Sequence, residues 1–170
     1  MSFGLGLQIG AVLVALVAAV IGAVVQVFLP LWIRLPVFGV LAISVVLREL
    51  GLIKLPVPEN RRLVPEDVQK RGRVWGPVQF GFEMGTGMRT YSPSAQPHLA
   101  LLAIVLVVPF AGSLAMGVGF GAARLLMPVI NNAYSDDGAW GDAWAAHARL
   151  LAALTCFSTM AALTAGLIAW

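Results

Sequence analysis

The chain has 170 residues, 59% of them hydrophobic and 11% charged, with a mean hydropathy of +0.88. Soluble domains carry roughly a quarter charged residues, so this composition excludes an ordinary soluble domain and makes the bilayer the expected solvent. The net charge of +3 does not point to nucleic acid: six of the eleven basic residues lie between Lys54 and Arg73, where only Trp75 at the edge offers a stacking ring, and the stretch reads as facing anionic lipid.

From Leu5 to Leu29 the only polar side chains are Gln8 and Gln26. At about 1.5 Å per residue this run crosses a hydrocarbon core of about 30 Å. It lacks a basic leader and exceeds the length of a signal-peptide core, so it reads as a retained anchor. Pro30 breaks it. "LPVFGVLAISVVL", between Arg34 and Arg48, is a shorter second segment that spans if the arginines snorkel, and the two read as a hairpin.

Residues 54–75, "KLPVPENRRLVPEDVQKRGRVW", form a basic loop with three acidic residues, cytoplasmic by the excess of positive charge. Within it "PEDVQKRG" predicts a short surface helix, with Pro65 first, Glu66 and Asp67 at the positive end, Lys70 and Arg71 at the negative end, and Gly72 as the stop.

From Gly76 to Ile130 the ionisable residues besides Tyr91 are Glu83, Arg89, His98 and Arg124. Break signals at "SPSAQP" and "PFAGS" divide the stretch into a Gly-rich approach at 77–92, a helix near 95–110 and a helix near 112–130, leaving a broken Gly/Pro-rich segment at 77–98. "NNAYSDDGAWGD" at 131–142 then predicts an acidic turn, with Asp142 capping a final helix that runs to Trp170. Trp32, Trp75, Trp140, Trp144 and Trp170 all fall at segment ends, as interface tryptophans do. The expected fold is an all-α integral membrane protein, one membrane domain over 1–170, with about five spans. Six follow if the Gly-rich approach crosses separately, and four if it is re-entrant.

Glu83 and Arg89 are the foremost candidates for a polar path, because ionisable groups at membrane depth are costly and generally paired or wet. Six residues apart on a helix they are turned by about 600°, so they cannot pair along one face unless the helix breaks at "GTG". His98 follows Pro97 at a helix start, without a metal-ligand spacing. Arg124 and Tyr91 complete the binding or path candidates. Gly81, Gly85, Gly87, Gly117 and Gly121, with Gly6 and Gly10, supply close-packing positions at the four-residue spacing that lets helices approach. "MGTGMR" at 84–89 is echoed by "MGVGFGAAR" at 116–124, as in transporters with paired interrupted helices. Neither a Ser-His-Asp order nor a nucleophile elbow accompanies the scattered hydroxyls.

"PENRRLVPEDVQKRG" followed by "QFGFEMGTGMRTYSPSA" resembles an arrangement in small multi-pass membrane proteins of high-GC Gram-positive bacteria. The Gly-rich helix starts are similar to those of DsbD/CcdA-like transmembrane electron carriers. The resemblance covers roughly residues 56–125 and implies a shared helical scaffold. The carriers pass reducing equivalents through paired intramembrane cysteines; this chain departs there, with Cys156 as its one cysteine. The sequence thus predicts a bacterial inner-membrane protein, either a small transporter with a polar path around Glu83 and Arg89, or a non-catalytic subunit or assembly factor packing against a membrane-protein partner or a second copy. A membrane enzyme ranks third. The sequence names no cofactor or metal.

Overall fold

A computed structural model describes residues 1–56, 66–68, 71–87, 94–134 and 139–168. Among them every regular element is helical: α1 Ser2–Phe28, α2 Leu31–Glu49, α3 Trp75–Thr86, α4 Gln96–Leu106, α5 Phe110–Tyr134, α6 Ala139–Ala146 and α7 Ala148–Ile168. Three stretches are long and apolar enough to cross a membrane: α1, α2 and residues 110–130 of α5. The apolar helices α4 and 148–161 of α7 are shorter.

The buried face of α1 is made of small side chains, Gly6, Gly10, Ala11, Ala15, Ala18, Ala19 and Gly22 with Leu7, whereas Leu13, Val17, Val20 and Val24 are exposed. This inverts the pattern of a soluble helix: in lipid, outward-facing leucine and valine lose nothing, and association depends on close backbone contact. Around α1 sit α3, α4 and α5. A Cβ added at Gly6 would strike the Val78 carbonyl, and one at Gly81 the Phe3 carbonyl. At Gly10 it would lie 2.5 Å from the Phe82 carbonyl oxygen, and at Gly85 it would strike the Leu7 carbonyl. The two glycine pairs therefore face each other across α1 and α3, which run in the same direction.

On the other side, Gly117 opposes Ala11 and Ala15, and Gly121 opposes the Gln8 side chain, whose Nε2 donates to the Val118 carbonyl at 3.1 Å. α5 thus runs antiparallel to α1. Farther along α1, Gly22 meets the Ile104 carbonyl of α4, and Ala15, Ala18 and Ala19 pack with Ile104. α3 and α4 thus meet successive stretches of α1. α2 packs antiparallel on α4 through Phe38, Ala42 and Val45 against Ala95, Leu99, Ala103 and Leu106.

Two expectations need correction, and a third is met in part. Of "PEDVQKRG", Glu66–Val68 form one 3₁₀ turn and Arg71 and Gly72 are non-helical, while Pro65, Gln69 and Lys70 lie outside the described residues. Gly72 takes φ +93°, a conformation that ends a turn rather than continues one. The acidic turn at 131–142 contracts, because α5 runs on to Tyr134 and α6 begins at Ala139. Asp142 consequently lies inside the first turn of α6, where it favours the positive helix end, and does not cap the last helix. That last helix is itself divided at His147, whose N–H is shared between the carbonyls of Ala143 and Trp144, both at 3.3 Å.

Candidate functional site

The interruption between α3 and α4 arises from local chemistry. α3 stops because Gly87 takes φ +67°, a left-handed cap in which its N–H donates to the Met84 carbonyl at 3.3 Å. α4 restarts with Pro97 in its first turn, where no intrahelical donor is lost. Its first two donors are already used: the Ala95 N–H donates to Glu49 Oε1 at 2.8 Å and the Gln96 N–H to Ser94 Oγ at 3.1 Å.

Beside the interruption is a cavity of about 140 Å³. Gly85, Thr86 and Gly87 close it at the end of α3, Pro97 and His98 at the start of α4, and Arg124 reaches in from α5. The remaining wall is apolar, with Val14, Leu101, Ile104 and Met116. Arg124 is half-buried; its Nη1 donates to the Met84 carbonyl at 3.0 Å, and its guanidinium carbon lies 5.5 Å from the centre of the Phe120 ring. The guanidinium thus meets both the negative end of the α3 dipole and an aromatic face, each of which favours a cation.

His98, Arg124, Gly85, Gly87 and Gly117 come together at this cavity, while Gly81 and Gly121 pack helix pairs elsewhere. Glu83 is half-buried on α3 but does not line the cavity. Gln79 Nε2 donates to its Oε1 at 3.2 Å, and Arg71 Nη1 donates to Gln79 Oε1 at 3.0 Å, so Glu83 is joined to the basic loop. Arg89 and Tyr91 lie outside the described residues.

Sequence reasoning passed over a second set of polar residues. Where Pro109 ends the α4 ladder, carbonyls lose their intrahelical donors. Gln26 Nε2 lies 3.3 Å from the carbonyl oxygens of Ile104 and Val105 and 3.2 Å from that of Val108, and Arg34 Nη1 donates to the Leu106 carbonyl at 2.6 Å. At the opposite end of α4, the Glu49 side chain is 7% exposed and pairs with Arg48 Nη1 at 2.8 Å while accepting from Ala95. Gln96 Nε2 donates to Thr155 Oγ1 at 2.9 Å and contacts Cys156 Sγ at 3.3 Å, fastening α7 to the same helix start. A glutamine or arginine near the end of an apolar run is the signal for this set, since such a group needs a freed backbone partner.

No protein-family model and no solved structure matches the chain. It is similar to the methylamine utilization protein MauF of Methylorubrum extorquens, with 26% identity over 130 residues, covering 75% of this chain and 45% of that protein. The chain therefore matches less than half the length of that relative.

Proposed function

We propose that the chain is a multi-pass membrane carrier, in which α3 and α4 together form one interrupted span and the cavity at the interruption receives a small solute. With the basic loop on the cytoplasmic side, α1, α2, the α3–α4 pair, α5 and α7 make five crossings and the amino terminus is cytoplasmic. The observation that carries this reading is the cavity itself. It joins two helix ends and a guanidinium to an apolar wall, and irregular backbone at membrane depth is tolerated where protein or a water-lined cavity satisfies it. Interrupted helices around a substrate site are a recurring device of secondary transporters.

The polar path of this reading runs through Arg124, His98 and Thr86 rather than between Glu83 and Arg89. A dithiol relay like that of the DsbD/CcdA-like carriers has no counterpart in a chain with one cysteine.

The test is access from both sides. In a Cys156→Ala background, Thr86→Cys and Ala100→Cys are treated with a membrane-impermeant thiol reagent in right-side-out and in inverted vesicles. A carrier exposes these positions to each face in turn, so both orientations should label. Labelling from one face or from neither sinks the carrier reading and supports the second one, a subunit of a membrane assembly. That second reading is favoured by the exposed ladder Ala111, Ala115, Gly119 and Ala123 on α5, with nothing within 4 Å of a Cβ added at Gly119.

A further inference from the structure

The cavity's chemistry narrows its ligand. Among the described residues the lining contains the Arg124 guanidinium and His98 but neither Asp nor Glu. Among the described residues the one hydrogen-bond acceptor of Arg124 is the Met84 carbonyl, which leaves further N–H groups of its planar fork for a ligand. The start of α4 adds little, because its first donors are held by Glu49 and Ser94. Among the described residues one guanidinium, that of Arg124, therefore faces a wall of Val14, Leu101, Ile104 and Met116. A planar guanidinium matches a carboxylate in shape and charge. A dianion would leave its second charge against the apolar wall, and an ammonium ion would meet Arg124 as a like charge.

The volume of about 140 Å³ is close to that of an apolar cavity of about 150 Å³ that admits one benzene, room for a carboxylate with a short tail. We propose that the cavity binds a small aliphatic monocarboxylate of about two to four carbons, its carboxylate on Arg124 and its tail toward Ile104 and Met116. This rests on the reading of the cavity as a solute site.

The experiment uses the full chain in vesicles, with Thr86→Cys in the Cys156→Ala background and the rate of thiol labelling as readout. Propionate should slow labelling at least tenfold at saturation, whereas propionamide and propylammonium, matched in size, should leave the rate unchanged. Arg124→Gln should abolish protection. Arg124→Lys, which keeps the charge, should retain protection at a higher propionate concentration, and thereby guards against misreading a misfolded Arg124→Gln protein. Ala100→Leu, which fills the apolar side, should remove protection by butyrate before protection by acetate. Equal protection by the amide or the ammonium ion, or protection that survives Arg124→Gln unchanged, overturns the assignment. Two-sided labelling that no carboxylate slows overturns the carboxylate and leaves the carrier standing; one-sided labelling overturns the carrier itself.

Discussion

Replacing glycine by alanine at Gly85 and at Gly119 should shift stability in different directions, although both lie in helices and gain the same side chain. Alanine is favoured over glycine in a helix interior by about 0.8–1 kcal/mol, and at Gly119, with nothing within 4 Å of the added Cβ, that gain is unopposed. At Gly85 the Cβ would strike the Leu7 carbonyl, with the carbonyl carbon at 2.9 Å and Cα at 3.0 Å. These are backbone atoms that cannot rotate aside, so α1 and α3 must part. Overpacking of this kind costs about 1–3 kcal/mol, and separation here also loosens the contacts at Gly6, Gly10 and Gly81. The propensity gain is common to both variants, so the difference between them isolates the packing cost, about 1–3 kcal/mol. Titrating sodium dodecyl sulfate into mixed micelles, followed by far-ultraviolet circular dichroism, measures both unfolding midpoints. Gly10→Ala should behave as Gly85→Ala does. Equal midpoints for Gly85→Ala and Gly119→Ala would refute the interlocked glycine interface.

The polar residues at the two ends of α4 give two more predictions. Gln26→Leu removes the donor shared by the carbonyls of Ile104, Val105 and Val108 and should destabilise by about 1 kcal/mol, with faster hydrogen exchange of the amides of 107–113; unchanged exchange would mean that Gln26 does not hold the turn. Glu49→Leu leaves the Ala95 N–H and the Arg48 guanidinium without their carboxylate and should cost about 2–3 kcal/mol, whereas Glu49→Gln keeps an acceptor for Ala95 and should cost about half as much. Thermal unfolding distinguishes them, and identical melting curves for the two variants would remove Glu49 as the cap of α4.

The helix ends nearest the amino terminus were legible because their signals are local. A charge-free run, Pro30, and arginines at 34 and 48 bound α1 and α2 to within a few residues. The interruption after α3 was legible for the same reason, in "GTG" and "SPSAQP". What the sequence could not show is which segment meets which. The spacing of Gly6 and Gly10 is visible in the chain, but its pairing with Gly81 and Gly85 depends on the parallel course of α1 and α3. Glu49 and Ala95 are 46 residues apart, and Gln26 and Val108 are 82. Read singly, Gln26 passes for a tolerated polar residue and Arg34 for a snorkelling one; each instead answers a backbone group freed by a break elsewhere. The final helix failed for a different cause. Asp142 fits a cap and an acidic first turn equally well, and alanines at 139 and 143 favour starting the helix before it.

Inside a bilayer protein an ionisable side chain need not be answered by an ion of opposite charge, because freed backbone groups and amides can hold it. Glu83 is tied through Gln79 toward Arg71, and among the described residues the guanidinium that lines the cavity is that of Arg124, held by a backbone carbonyl rather than a carboxylate. A guanidinium paired with a carboxylate is neutralised and has little charge left for a ligand. One held by a carbonyl and an aromatic face keeps its full charge. At a separation of about 5 Å and an effective dielectric constant of about 20, that charge disfavours a bound ammonium ion by about 3 kcal/mol and favours a carboxylate by as much. Since 1.4 kcal/mol is a factor of ten, the Arg124 charge alone would separate the two signs by roughly four powers of ten in the proposed site. The Met84 carbonyl that anchors Arg124 also belongs to the helix end capped by Gly87, so a ligand drawing the guanidinium toward itself pulls on the last turn of α3. In the proposed carrier, the ligand site and the end of α3 would share one hydrogen bond, a route by which occupancy at the cavity would reach the interrupted span.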